Sequence, residues 1–180
     1  MTDLVLTLIG PDRPGLVETV AEVVAKCGGN WLESRMAHLA GKFAGILRVE
    51  IAENKAAVLM EALAELGGRG LKITAEPSSD AGLLATGRAL DLELVGLDRP
   101  GIVREISQLL ASSGANVEEL ATDRASAPMS GEMLFTAKAR VHLPKDGDLG
   151  ALRAALERLA SDLVVEIRLV ETALDAKPRK

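Results

Sequence analysis

Hydrophobic and polar positions alternate along the start of the chain: Leu4, Leu6 and Leu8 interleave with Val5, Thr7 and Ile9. A period of two belongs to a strand with unlike faces. After the segment Asp12-Arg13-Pro14-Gly15 the spacing changes. Leu16, Val17, Val20, Ala21 and Val24 then recur at helical intervals. Gly28 and Gly29 stop that helix, since glycine tolerates the left-handed terminal conformation. Asn30 to Leu39 and Phe43 to Ile51 read as a strand pair around Gly41, followed by a helix burying Val58, Leu59, Ala62, Leu63 and Leu66. Gly67, Gly68 and Gly70 end it, and Leu71, Ile73 and Ala75 alternate in a last strand.

The same order then repeats. Leu4 to Val17 reads LVLTLIGPDRPGLV and Leu90 to Val103 reads LDLELVGLDRPGIV, in register at an offset of 86 residues. Gly28, Asn30 and Glu33 match Gly114, Asn116 and Glu119 at that offset. The second copy predicts strands over 89–95, 116–124 and 134–143, with a longer loop at 125–132. Its first helix buries Ile102, Val103, Ile106, Leu109 and Leu110, and its second Leu149, Leu152, Leu156, Leu159 and Leu163. Val165, Ile167 and Leu169 alternate in the last strand. The fold class is therefore α+β: two tandem ferredoxin-like βαββαβ modules with antiparallel sheets. Each helix has one apolar stripe, so both helices of a module lie on one face of its sheet. The expected organisation is a module at 1–76, a linker at 77–87, a module at 88–171 and a polar tail at 172–180.

The uncovered sheet faces differ. The second copy presents Asp91, Glu93, Lys138, Arg140, Glu166 and Arg168, a set of opposite charges on neighbouring strands that suits water. Val5 and Thr7 stand at the first-strand positions in the first copy, which implies a face partly covered by its twin or by another chain. A lone module also leaves strand edges open, from which side-by-side packing of the two sheets into an eight-stranded surface is expected; a homo-oligomer is a further option.

Composition narrows the function classes. Hydrophobic residues are 48% of the chain but aromatic residues only 2%, so the core is aliphatic. Few aromatic rings and a net charge of −5 argue against direct nucleic-acid binding, which draws on stacking and a basic field. Cys27 is the single cysteine, and His38 and His142 stand far apart, so neither a disulfide within the chain nor a metal site is expected. No apolar run approaches the ~20 residues of a membrane span, and the start of the chain has no basic leader, so a cytoplasmic protein is expected. No cofactor fingerprint appears.

The repeated turn is the candidate site. A helix N-terminus offers unpaired N–H groups and a partial positive charge, which suit a carboxylate. Asp12, or the amide of Asn30, can meet an ammonium group, and Gly15 leaves the backbone open to approach. Together these suit a small amino acid, and the same logic holds for Asp98, Gly101 and Asn116. The turn equally suits a purely structural role, with Asp12 as cap and Pro14 at the first helical position. The residues alone leave both open.

The β-α-β-β-α-β order with G-x-D-R-P-G at the first turn resembles the ACT domain, a regulatory module of amino-acid metabolism. The resemblance covers roughly Thr2 to Glu76 and Arg88 to Glu171. Two copies without another domain, together with the S-A-P-M-S-G-E segment at Ser126 to Glu132, are similar to the glycine cleavage system transcriptional repressor group. That resemblance implies a regulator without its own DNA-binding motif, which acts on a partner transcription factor under the control of a small amino acid, glycine or serine. It implies ligand contacts at an interface between modules, at Gly10, Asp12, Gly15, Leu16 and Asn30, and at Gly96, Asp98, Gly101, Ile102 and Asn116. Pro11 is replaced by Leu97, so the two sites need not be equivalent. Two other readings remain. One is a standalone regulatory piece related to an enzyme such as formyltetrahydrofolate deformylase, and the other a ligand-free interaction scaffold.

Catalysis has little support in the sequence. Ser126, Ser130 and Glu132 have no His or Lys nearby to activate a nucleophile. Met129 and Met133 read as packing residues and Cys27 as a small hydrophobe. His38 is expected at the solvent or a module interface, and His142 on the polar sheet face.

Overall fold

The computed structural model describes residues 1–78, 86–128 and 131–172. The chain divides into two compact units, Met1–Ala81 and Gly82–Lys180, each described here by itself. The expected linker 77–87 and tail 172–180 fall largely outside the described residues; Pro77, Gly87 and Thr172 belong to strands.

Unit 1 runs β1 (Thr2–Pro11), α1 (Leu16–Lys26), β2 (Asn30–Leu39), β3 (Lys42–Ile51), α2 (Ala56–Glu65) and β4 (Lys72–Pro77), with 3-10 turns at Glu53–Lys55 and Leu66–Arg69 flanking α2. Unit 2 repeats the order: β5 (Gly87–Leu97), α3 (Ile102–Ser112), β6 (Asn116–Ser126), β7 (Met133–Pro144), α4 (Leu149–Leu163) and β8 (Val165–Thr172). The sheets are ordered β2-β3-β1-β4 and β6-β7-β5-β8, with every pair antiparallel. This is the ferredoxin-like arrangement, present twice.

The alternation in β1 becomes a two-faced strand. Leu4, Leu6 and Leu8 are buried with Leu47, Val49 and Ile51 of β3 against Leu16, Val20 and Val24 of α1 and Leu59 and Leu63 of α2. The second core joins Leu90, Leu92 and Leu94 to Ala137, Ala139, Val141 and Leu143 under Ile102, Ile106, Leu110, Leu152 and Leu156. The helical stripes are narrower than the sequence pattern implies. Val17, Val58 and Val103 stay largely exposed, because the residue beside the central i, i+4, i+8 line turns away from the sheet.

Two local details depart from the sequence reading. Ala40 and Gly41 both have positive φ, 48° and 75°, so the β2–β3 hairpin closes through two residues and β3 begins at Lys42. His142 lies on the charged side of β7 but is buried, at 7% exposure. Gly87 lies over its ring: a Cβ there would come within 2.6 Å of Nε2, so the missing side chain is what lets the β5 backbone cover the imidazole. Met129 and Ser130 lie outside the described residues; β6 ends at Ser126 and β7 begins at Met133.

Leu6 and Thr7 are neighbours on opposite faces of β1, the first fully buried and the second exposed. Leu6→Ala is therefore expected to cost ~2–5 kcal/mol and Thr7→Ala less than ~0.5 kcal/mol in urea denaturation. Equal losses would contradict this assignment of faces.

Candidate functional site

Each turn sits where β1 or β5 hands the chain to a helix. Gly15 takes φ 85° and Gly101 φ 95°, left-handed values that a side chain would strain by roughly 1–2 kcal/mol. These glycines are themselves the residues preceding the helices, which start at Leu16 and Ile102. Neither helix has a side-chain cap. Asp12 and Asp98 are thus not caps, and Pro14 lies before the first helical turn. The contrast is α4, where Asp148 Oδ1 accepts from Ala151 N at 2.9 Å. In α1 the first intrahelical bond runs from Thr19 N to Gly15 O at 2.9 Å, which leaves the amides of Leu16, Val17 and Glu18 for an outside acceptor.

In unit 1 these amides border a shallow open cleft lined by Asp12, Arg13, Gly15, Leu16, Val17, Glu18 and Phe43. Arg13, also in the lining, donates to the Arg69 carbonyl at 2.9 Å. His38 stands 3.7 Å from Asp12. The Gly41 N–H donates to the same Nε2 at 3.3 Å, the shorter of the two contacts. Asp12, 43% exposed, keeps its acceptor capacity. One end of the cleft thus offers backbone donors and the other a carboxylate, the two poles a zwitterion needs.

Unit 2 uses the same frame differently. Its cleft is lined by Asp98, Arg99, Pro100, Thr122, Asp123, Arg124 and Phe135. Arg124 forms a close ion pair with Asp98 through Nε. Arg99 forks onto Glu105 in the first turn of α3, with contacts of 3.1 and 2.9 Å. Both charged members of this turn are already partnered within the unit.

The structure gathers only part of the predicted site. Gly10 pairs with Phe43, which pairs with His38, so these stand beside the turn. Asn30 is level with Glu50 and Asp3, seven positions back along β1, or ~23 Å at ~3.3 Å per residue. Asn116 is likewise level with His142 and Ala89, at the far end from Gly96, Phe135 and Arg124. The reason is topological: α1 carries the chain back along the sheet before β2 begins. Leu16 and Ile102 are core residues and offer the cleft only their amides. Gly10 and Gly96 answer a packing need, since a Cβ at Gly10 would meet Gly70 O at 3.0 Å and one at Gly96 would meet Val165 Cγ1 at 2.3 Å.

Sequence reasoning missed His38, Arg124, Phe43 and Phe135. His38 and Arg124 are related by the same 86-residue offset as Asp12 and Asp98, and each faces its aspartate. Phe43 and Phe135 are the only phenylalanines of the chain, and they pair with the equivalent Gly10 and Gly96. Among the described residues no group of His, Cys, Asp and Glu is placed to hold a metal, and no helix is long and apolar enough to cross a membrane.

A family model for the ACT domain matches residues 2–73 and again 90–170. The chain belongs to the ACT-domain family. Over 167 residues it is 26% identical to the glycine cleavage system transcriptional repressor of Escherichia coli (strain K12), covering 89% of this chain and 85% of that one. The crystal structure of an unknown protein from Galdieria sulphuraria superposes with TM-score 0.80 at 30% identity, covering 96% of this chain and 99% of that one. A structure provisionally assigned as a glycine cleavage system transcriptional repressor superposes with TM-score 0.71 at 20% identity, over 95% and 97% of the two chains, a likeness of fold. The likeness extends over most of the length of this chain and of these relatives.

In this ACT pair the cap question is open to direct test. Asp12→Ala and Asp98→Ala are expected to change the unfolding free energy by no more than ~0.5 kcal/mol, the scale of an exposed pair. Asp148→Ala, which removes an observed cap, is expected to cost ~1 kcal/mol. Urea titrations in which Asp12→Ala costs as much as Asp148→Ala would restore the capping role.

Proposed function

We propose that this chain is an amino-acid-responsive regulator of transcription that acts through contacts with a partner protein rather than by catalysis. The observation that carries the reading is the unit 1 cleft. There the uncapped first turn of α1 and the available carboxylate of Asp12 flank one shallow space beside Phe43. A zwitterion is the ligand class whose charges complement both ends. Glycine or serine is favoured by the resemblance to the glycine cleavage system transcriptional repressor, the cleft itself setting no size limit. Kinship with a protein named as a glycine cleavage system transcriptional repressor supports a regulatory role in the cytoplasm, with a transcription factor as partner. The net charge of −5 favours a protein partner over direct contact with nucleic acid.

The two turns are then unequal. Unit 1 is the sensing site, made of Asp12, Gly15 and the amides from Leu16 onward. Unit 2 holds Asp98 against Arg124 and serves as the weaker or silent copy. Asn30 and Asn116 lie too far along their own sheets to share a ligand with the turn of the same unit, so they take part only if another module brings them there.

A ligand that binds only the folded chain stabilises it by ~2.7 kcal/mol at ~100 times its dissociation constant. Glycine or serine is expected to raise the melting temperature in a thermal-shift series of all common amino acids. Asp12→Asn is expected to abolish that rise, whereas Asp98→Asn leaves it in place. No shift with any amino acid would overturn the sensor reading, and a loss caused by Asp98→Asn alone would reverse the assignment of units.

A further inference from the structure

The face of the unit 1 sheet opposite α1 and α2 is neither charged throughout nor uniformly apolar. Its residues form rows across the strands. From the turn end these present Lys42, then Ile9 beside Lys72, then Thr7 beside Ile46, then Val5 beside Glu76, then Asp3 beside Glu50. Ile9 and Ile46 are 48% and 52% exposed. One end is thus basic, the middle apolar and the other end acidic. Arg48 bridges Asp3 and Glu33 at 2.7 and 3.6 Å, but among the described residues Lys42, Lys72, Glu50 and Glu76 form no ion pair. The equivalent face of unit 2 neutralises itself instead: Asp91 pairs with Arg140 at 3.5 Å and Glu93 with Lys138 at 3.4 Å.

We propose that the unit 1 face is a dimerisation surface whose occupant is the same face of a second copy of this chain. The charges select one symmetry. A two-fold axis in the interface and perpendicular to the strands lays β3 on β3 and β4 on β4 with strand directions reversed. Ile46 then meets Ile46 of the second copy. Lys72 faces Glu76 of the second copy, and Lys42 faces its Glu50. An axis parallel to the strands would stack basic on basic and acidic on acidic, which costs rather than stabilises. The modest twist between packed sheets, ~30°, keeps unlike ends over one another. Arg35, at the β2 edge, falls on the rim, where its charge stays in water.

The area is enough for a specific but modest contact. β1, β2 and β3 have ten residues each and β4 six, so at ~3.3 Å per residue and ~4.8 Å between strands the face projects ~570 Å² per copy. The pair then buries ~1,100 Å² at most, just above the ~1,000 Å² that a specific interface needs. The dimer is accordingly expected to be concentration-dependent.

Sedimentation velocity of the full chain across a wide concentration range tests this directly. The wild type is expected to show a reversible monomer–dimer equilibrium. Ile46→Lys is expected to weaken it at least tenfold, and so is Lys72→Glu. Combining Lys72→Glu with Glu76→Lys is expected to restore association, because two unlike charges face each other again. Glu93→Lys, on the unit 2 face, is expected to leave it unchanged. Circular dichroism shows whether each variant is folded; Thr7→Lys, at an exposed central position, replaces Ile46→Lys if that variant is not. A wild type monomeric at every concentration, or a dimer indifferent to both central lysine variants, would overturn the proposal. So would a charge-reversed pair no stronger than its single variants.

Discussion

A four-stranded sheet has two faces, and in each unit the helices can cover only one of them. α1 and α2 each bury a single narrow stripe, as do α3 and α4, so both members of a pair must sit on the same side. This constraint sets the rest. It places Leu4, Leu6 and Leu8 in a core while their neighbours in sequence face outward. It brings the helix N-termini to the ends of β1 and β5, where the turns form. It also leaves one sheet face per unit whose chemistry is free to diverge, and there the two copies differ most.

Divergence at the turns follows from one strand position. The β2–β3 and β6–β7 registers hold residues 38 and 124 beside the turn, with Phe43 and Phe135 between them and β1 or β5. The imidazole of His38 stays 3.7 Å from Asp12, which is 43% exposed, whereas the guanidinium of Arg124 closes on Asp98, which is 23% exposed. An exposed pair of this kind contributes only ~0.2–1 kcal/mol to stability. Its larger effect is on availability: the aspartate is more exposed and more loosely contacted in unit 1 than in unit 2.

The elements and their faces were legible in the sequence because alternation and helical spacing are local. The site was less legible because its neighbours meet across a third strand. His38 reaches Asp12 only through the hairpin register, which the two-residue Ala40-Gly41 turn fixes. Alternation along β2 alone places His38 at the solvent or a module interface and says nothing of Asp12. Asn30 joins the turn by the chemistry of its amide and by resemblance, yet within unit 1 the length of α1 carries it to the opposite end of the sheet. His142 had the right side of β7 but the wrong burial, since its cover is the backbone at Gly87, more than fifty residues earlier.

The differences between the copies point one way. In unit 2 the face closes Asp91 with Arg140 and Glu93 with Lys138, while the turn closes Asp98 with Arg124 and Arg99 with Glu105. In unit 1 the matching positions hold Val5 with Arg48 and Thr7 with Ile46, and the turn leaves Asp12 open. Arg48 is the informative exception: it is satisfied locally by Asp3 and Glu33, so a cation in the sheet is not left bare by accident of composition. Solvated pairs on a surface add little to stability, so four such closures in one copy are poorly explained by folding alone. What they do change is availability: unit 2 neutralises its sheet face and its turn within itself, whereas the matching positions of unit 1 carry Val5, Thr7 and Ile46 and a more exposed Asp12.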